Sequence, residues 1–77
     1  MAQAHRFHYT FQDDDQIFLS RLCRNFSDAR RVRSSIQSIA GNFLEQDGNF
    51  LYAMIDAGQL QEALEELDMS GYTATEG

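Results

Sequence analysis

The sequence predicts a compact, mainly α-helical domain with a short N-terminal β-strand, in the order strand, two helices and a short C-terminal helical hairpin. Three observations lead to this prediction. Residues 5–11 alternate with the period of a half-buried strand, whereas residues 17–43 and 60–67 carry apolar side chains at helical spacing. Residues 1–69 are assigned to this single domain. Residues 70–77 are poor in apolar side chains and are predicted to be a disordered tail.

The N-terminal strand is predicted from strict alternation of its side chains. One face carries aromatic rings and the other carries polar groups, as expected for a strand with one buried side. The aromatic residues are Phe7, Tyr9 and Phe11, and the polar ones are Arg6, His8 and Thr10. Because one strand cannot satisfy its own backbone, it is predicted to pair with another segment or with its copy in a second chain.

A first helix is predicted to begin at the acidic segment that follows the strand. Asp13 and Gln16 have the spacing of a capping box, and the predicted helix runs to about Asn25. The run Asp13-Asp14-Asp15 is interpreted as stabilising the helix dipole and not as a metal site. The apolar stripe of this helix comprises Ile17, Phe18, Leu19, Leu22, Cys23 and Phe26.

A second helix is predicted to begin at Ser27 and Asp28, where a capping signal appears again. Its apolar residues recur every three or four positions: Ala29, Val32, Ile36, Ile39, Ala40 and Phe43. Gly41 lies within this pattern and weakens it by about 1 kcal/mol relative to Ala. The helix therefore either ends there or makes a close packing contact.

Asp47-Gly48 is either a helix C-cap or a hairpin turn, because both use a residue with positive φ. The hairpin would give an alternative α+β fold, with strands over residues 42–46 and 49–55. Residues 50–64 resemble the hinge of a tetratricopeptide-type helical hairpin, in which Gly58 closes one helix and Ala63 packs between the two. This resemblance implies helices on both sides of Gly58. The last helix has the inward stripe Leu60, Ala63, Leu64 and Leu67.

Length and cysteine content bear on stability and location. A chain of 77 residues buries only about 60% of its unfolded surface, and Cys23 is the single cysteine, so no internal disulfide can form. Self-association is the remaining means of stabilisation, which predicts a homodimer.

The N-terminal residues do not resemble a signal peptide, and no stretch approaches about 20 apolar residues. We therefore expect a cytoplasmic protein that does not contact membranes.

Charge is divided unevenly along the chain. Residues 1–46 contain six arginines and five carboxylates, whereas residues 47–77 contain seven carboxylates and no basic residue. This asymmetry indicates that the two halves meet different partners, and net charge for solubility is the alternative explanation. We expect a non-enzymatic, protein-binding regulator or inhibitor of the kind carried by bacteria and their phages. Its acidic C-terminal surface is predicted to bind a basic protein partner and, in one variant of the hypothesis, to mimic nucleic acid. The predicted partner-binding residues are Glu62, Glu65, Glu66 and Asp68.

No residue pattern predicts catalysis, a metal site or a cofactor. His5 and His8 are three residues apart on a predicted strand and therefore lie on opposite faces. Cys23 lies on an apolar stripe, which is typical of a buried structural thiol. The sequence has no glycine-rich phosphate loop and no paired Cys and His ligands.

Residues 5–46 also resemble the ribbon-helix-helix DNA-binding family, with an alternating strand and a second helix opened by Val32-Arg33-Ser34-Ser35-Ile36. The resemblance implies an alternative function, a dimeric DNA-binding repressor whose strand pairs with that of its dimer mate and whose acidic extension binds a partner. Residues assigned to nucleic acid or anions under this alternative are Arg6, His8, Thr10, Arg30, Arg31 and Arg33. With a net charge of only +1, this region predicts weak non-specific DNA binding.

Overall fold

A computed structural model describes residues 5–37 and 44–77. Within these residues the chain forms a small α+β fold with a five-stranded mixed sheet and two α-helices. The strands are β1 (Phe7–Phe11), β2 (Gln16–Leu22), β3 (Glu45–Asp47), β4 (Phe50–Asp56) and β5 (Ala74–Glu76). The helices are α1 (Phe26–Ser35) and α2 (Leu60–Met69), and a 3-10 turn (Ala57–Gln59) leads into α2.

The sheet has the order β3-β4-β2-β1-β5, with β2 and β4 as its longest strands. All neighbouring strands are antiparallel except β1 and β5, which are parallel. Leu19 on β2 pairs with Tyr9 on β1 and with Ala53 on β4. Since directly paired residues project to the same side of a sheet, this register fixes which side chains share each face.

Both helices lie on the same face of the sheet and bury its apolar side chains. The sheet side of the core comprises Phe7, Ile17, Leu19, Leu51, Ala53 and Ile55, and the helix side includes Ala29, Val32, Ala63 and Leu67. The other face of the sheet is left uncovered by both helices and is called the open face below.

The prediction of a mainly helical domain is wrong, and the first predicted helix is the main reason. Residues 16–22 form β2, in which Ile17 and Leu19 point into the core while Phe18 points to the open face. A short run of consecutive apolar residues does not distinguish a helix from a strand by periodicity. The Asp13 carboxylate, predicted to cap a helix, accepts a hydrogen bond from the Asp15 amide (3.3 Å) within the β1–β2 turn.

Asp47-Gly48 is part of a hairpin turn and not a helix cap. Gly48 has a φ of 64°, and Asp47 pairs with Phe50 directly across the turn. The predicted helix before Gly58 is therefore wrong, because Phe50–Asp56 is β4. Every residue of β4 except Asp56 is apolar, so its sequence fits either element until the turn is known.

The second predicted helix is present as α1, with a different start. Asn25 is its N-cap, and the Asn25 Oδ1 accepts a hydrogen bond from the Asp28 amide at 2.8 Å. The helix ends at Ser35. The predicted continuation through Ile39, Ala40, Gly41 and Phe43 lies outside the described residues.

The last predicted helix is confirmed as α2, with Ala63 and Leu67 buried. Where the sequence predicts a disordered tail over residues 70–77, the structure contains β5, which pairs with β1. The strand-helix-helix order implied by the ribbon-helix-helix resemblance is wrong, since β2 replaces its first helix. Because β1 pairs with β2 and β5 of its own chain, the homodimer stays a prediction without the support of strand pairing.

Candidate functional site on the open face of the sheet

An apolar cluster occupies the centre of the open face. It is formed by two cross-strand pairs and one ring beside them: Phe18 opposite Met54, Leu22 opposite Phe50, and Tyr52 between Phe50 and Met54 on β4. Paired residues of antiparallel strands lie about 4.5–5.5 Å apart at their Cβ atoms, so these side chains form one continuous surface. These five residues are called the apolar cluster below.

The rings of the cluster contact one another and are only partly shielded from solvent. Phe50 and Tyr52 are stacked with ring centroids 5.7 Å apart, and Phe18 and Tyr52 are tilted at 6.2 Å. Met54 is 52% exposed and Leu22 is 43% exposed, while the three rings are half-buried. A contiguous apolar surface of this kind on a small protein marks an interaction site more often than a scattered exposed residue does.

Carboxylates border the apolar cluster. Glu45 pairs with Tyr52 and Asp47 pairs with Phe50, which places both acids on the open face at its β3 edge. Asp56 lies at the end of β4 and accepts a hydrogen bond from the Gln16 amide group at 2.9 Å. In the described part of the chain, none of the three carboxylates lies within 4.0 Å of a basic group. Together they form the acidic rim.

The predicted acidic partner-binding residues lie elsewhere, on α2. Glu62, Glu65 and Asp68 are exposed and Glu66 is half-buried. This helix packs on the covered side of the sheet, so its carboxylates and the acidic rim belong to opposite sides of the molecule. The partner-binding role of these four residues stays a prediction.

The residues predicted to bind nucleic acid or anions are not brought together on one surface. His8 and Thr10 lie on the open face, where they pair with Ser20 and Phe18. Arg30 and Arg31 line a shallow depression on α1 with Ser27 and Ser34. Arg33 lies in the last turn of α1, and Arg6 lines a separate cleft with Arg21.

One of these arginines is already engaged by a carboxylate. Arg31 donates to Asp28 Oδ1 at 2.6 Å, and Arg24 lies 4.0 Å from Asp28 Oδ2. The hydrogen bond from Arg31 is the largest of the effects that hold the pKa of Asp28 below its ordinary value, against the opposing effect of burial. Asp28 therefore neutralises part of the predicted basic cluster.

Two further sequence predictions concern reactive groups. Cys23 is buried in the core, which agrees with its interpretation as a structural thiol. Within residues 5–37 and 44–77, no three residues with metal-binding side chains come together.

Neither helix in those ranges is long and apolar enough to cross a membrane.

The apolar cluster was not predicted from the sequence. A signal was present in residues 50–55, where both alternating sets are apolar: Phe50, Tyr52 and Met54 on one side and Leu51, Ala53 and Ile55 on the other. A strand with two apolar faces must be covered on both sides or expose one of them. Because this segment was interpreted as a helix, an exposed apolar strand face was not predicted.

Comparisons with protein-family models, with curated proteins and with solved structures found no match to this chain.

Proposed function

We propose that the protein is a non-enzymatic binding protein, acting as a regulator or inhibitor, whose open face binds a protein partner with a basic surface. The observation that carries this proposal is the apolar cluster, whose Met54 and Leu22 side chains are about half exposed. Keeping such a surface in water is unfavourable by roughly 25 cal/mol for each Å² that a partner would cover. The uncovered cluster is therefore a source of binding energy.

The chemistry of the partner follows from the arrangement of the face. Apolar and aromatic side chains at the centre of an interface supply most of its binding energy, and charged residues at the margin mainly accelerate and orient association. Here the centre is apolar and the acidic rim is negative. A complementary partner presents one or more large apolar side chains flanked by Lys or Arg.

The apolar centre also bears on the nucleic-acid mimicry considered from the sequence. A phosphate-binding groove offers cations and polar groups but little for Phe18, Phe50 or Met54 to pack against. The open face is thus better matched to an apolar and basic protein surface than to such a groove. The α2 carboxylates, on the other side of the molecule, would add to the long-range attraction between the two proteins.

A selection from a random peptide library displayed on phage tests the proposed chemistry of the partner. We expect the selected peptides to combine Lys or Arg with Leu, Phe or Trp, because both properties of the face are then satisfied. Their affinity should fall at least about tenfold for the double variant Leu22→Ser, Met54→Ser, since two apolar anchors are removed. Binding should also weaken as salt is raised.

The matched control is Met69→Ser, which removes a methionine that is 82% exposed on α2, outside the open face. This variant should bind the selected peptides as the unchanged protein does. Selection of acidic peptides, or equal weakening by the control and by the double variant, would refute the proposal. Changes in the amide chemical shifts of β2 and β4 when a selected peptide is added would verify that it binds the open face.

A further inference from the structure

We propose that a cleft on the covered side of the sheet binds a phosphate group, in the form of a phosphate monoester. The cleft has a volume of about 280 Å³ and lies between the start of β1, the end of β2 and the segment joining α2 to β5. It is lined by His5, Arg6, Arg21, Gly71, Tyr72 and Thr73. This inference is independent of the function proposed for the open face.

Arg21 is held in place within this cleft by aromatic rings. Its guanidinium carbon lies 5.5 Å from the ring centroid of Phe7 and 5.2 Å from that of Tyr72. The two rings meet edge to face at 6.3 Å, and Phe7 is fully buried. A guanidinium fixed in this way loses little conformational entropy when it binds an anion.

The hydrogen-bonding capacity of Arg21 is not used by the described protein groups. Its Nε is buried and has no hydrogen-bond partner among residues 5–37 and 44–77. Because Nε is closed to solvent, a ligand would reach Arg21 through its terminal guanidinium nitrogens, which make no hydrogen bond to a described residue. A guanidinium that lines a cleft and lacks an acceptor is suited to an oxyanion.

The charge of the cleft favours an anion. Both described ion pairs involve Asp28, and no described carboxylate lies within 4.0 Å of the charged groups of Arg6 or Arg21. One carboxylate does adjoin the cleft, because Asp68 Oδ1 accepts a hydrogen bond from the Thr73 hydroxyl at 3.3 Å. Two arginines in a chain of net charge −6 are thus left without a described counter-charge at this position.

The backbone holds the two sides of the cleft in place. Gly71, with a φ of 84°, ends α2 in a Schellman motif, in which the Tyr72 amide donates to the Leu67 carbonyl at 2.7 Å. On the other side, His5 has a φ of 69° and its amide donates to the Leu22 carbonyl at 2.7 Å. Positive φ at a non-glycine residue costs about 1 kcal/mol or more and often occurs at functional sites.

The number of donors favours phosphate over carboxylate. Arg6, Arg21 and His5 line the cleft and bring two guanidinium groups and an imidazole to it, whereas the Thr73 hydroxyl already donates to Asp68. A carboxylate has two oxygens and one negative charge, whereas a phosphate monoester has three terminal oxygens and a charge of about −1.5 to −2 near pH 7. The larger acceptor matches the larger set of donors.

Titration of the ¹⁵N-labelled protein with phenyl phosphate, inorganic phosphate and acetate, followed by amide chemical shifts, tests this inference. We expect saturable shifts at residues 5–6, 21 and 71–73 with both phosphates and much smaller shifts with acetate at equal concentration. Tighter binding of phenyl phosphate than of inorganic phosphate would support the ester. Tighter binding of inorganic phosphate would overturn the monoester and leave the free ion as ligand.

Three variants assign binding to the cleft. Arg6→Gln should weaken phenyl phosphate binding about tenfold, because a charge-assisted hydrogen bond is lost at an exposed residue whose replacement leaves the core intact. Asp68→Asn should strengthen it, since the opposing charge is removed. Arg33→Gln, which changes the same residue type on α1, should have no effect. Equal affinities in Arg6→Gln and Arg33→Gln, or no saturation by either phosphate at millimolar concentration, would overturn the inference.

Discussion

Asp28 is the one buried charged residue in the part of the chain that the structure describes. Its carboxylate is only 8% exposed and accepts hydrogen bonds from the Arg31 guanidinium at 2.6 Å and from the Arg24 amide at 3.4 Å. It also lies in the first turn of α1, where the helix dipole favours a negative charge. These contacts hold the pKa of Asp28 below its ordinary value even though burial acts in the opposite direction.

Replacement of Asp28 by Asn should lower the free energy of unfolding by about 1–2 kcal/mol at pH 7. This is less than the roughly 1.5–3 kcal/mol usual for hydrogen bonds to a charged group, because the Arg31 side chain is 62% exposed. Because the pKa is lower in the folded state than in the unfolded state, this contribution is fully present above the ordinary value of 3.8 and is lost as the pH falls through the lowered pKa. Urea unfolding of both proteins from neutral to acidic pH measures the difference.

Comparison with the variant isolates Asp28 from the other carboxylates, which are present in both proteins. The difference in stability should be constant from pH 7 down to about pH 5 and then approach zero in stronger acid. Arg33→Gln is the control and should show no such convergence. A difference that does not decrease at all as the pH is lowered below 3.8 would mean that the lowered pKa of Asp28 does not contribute to folding.

At the scale of the elements, three glycines allow two effects of alanine substitution to be distinguished. One is the cost of a left-handed backbone in the folded state, and the other is the reduced freedom of the unfolded chain. Gly48 and Gly71 have φ values of 64° and 84°, whereas Gly58 does not have a positive φ. A Cβ atom at any of the three would meet no other atom within 4 Å. Any effect of alanine at these positions must therefore come from the backbone and not from steric clash.

Gly71→Ala and Gly48→Ala should each destabilise the protein by about 1–2 kcal/mol, because a left-handed conformation is unfavourable for a residue with a Cβ atom. Gly58→Ala should instead stabilise it by about 0.4–1 kcal/mol, since the unfolded chain loses freedom while the folded one is unaffected. Thermal and urea unfolding of the three variants measure these changes. Destabilisation by Gly58→Ala equal to that of the other two would contradict this account of the turns.

The elements that were predicted correctly are those with one buried face. The alternation in β1 and the stripe of α2 each follow from contact with a single core, so their periodicity is visible in the sequence. The sequence of β2 does not show the alternation of apolar and polar residues typical of a strand, because Ile17 and Leu19 face the core while the apolar Phe18 faces outward. Three consecutive apolar residues then satisfy a helical pattern equally well.

The acidic turn before β2 strengthened this error. Asp13 and Gln16 have the spacing of a helix cap, but in the structure the Gln12 and Asp13 amides donate to the Gln16 carbonyl, at 2.9 and 3.4 Å. Aspartate is equally common in turns, where its carboxylate bonds to the backbone two residues later. Only the pairing of β1 with β2, a non-local contact, distinguishes the two outcomes.

The candidate site was less predictable than the fold because it depends on the sheet as a whole. The apolar cluster joins paired residues of β2 and β4 that are 28 and 36 positions apart, and no local pattern shows that they will be neighbours. The acidic rim has the same origin, since Glu45 reaches Tyr52 only through the hairpin at Gly48. The charge asymmetry is visible in the sequence, but it does not identify which surface the carboxylates border.

The whole molecule has two differently constructed sides. The covered side carries α1 and α2, with the α2 carboxylates exposed, and the open side carries the apolar cluster within its acidic rim. A net charge of −6 opposes contact between two copies of the chain. Exposed apolar surface favours such contact, so the balance of these two effects sets the tendency to self-associate.

Self-association through the open face should therefore increase as repulsion is removed, either by added salt or by lowering the pH from about 8 to about 5, toward the pI of 4.5. The contribution of Asp28 to stability is retained over this range, because its pKa lies below 3.8. Light scattering and sedimentation velocity would record a rise in average mass for the unchanged protein and for Met69→Ser, and a much smaller rise for Leu22→Ser, Met54→Ser. Association that weakens with salt, or that is the same in both variants, would show that the open face does not mediate it.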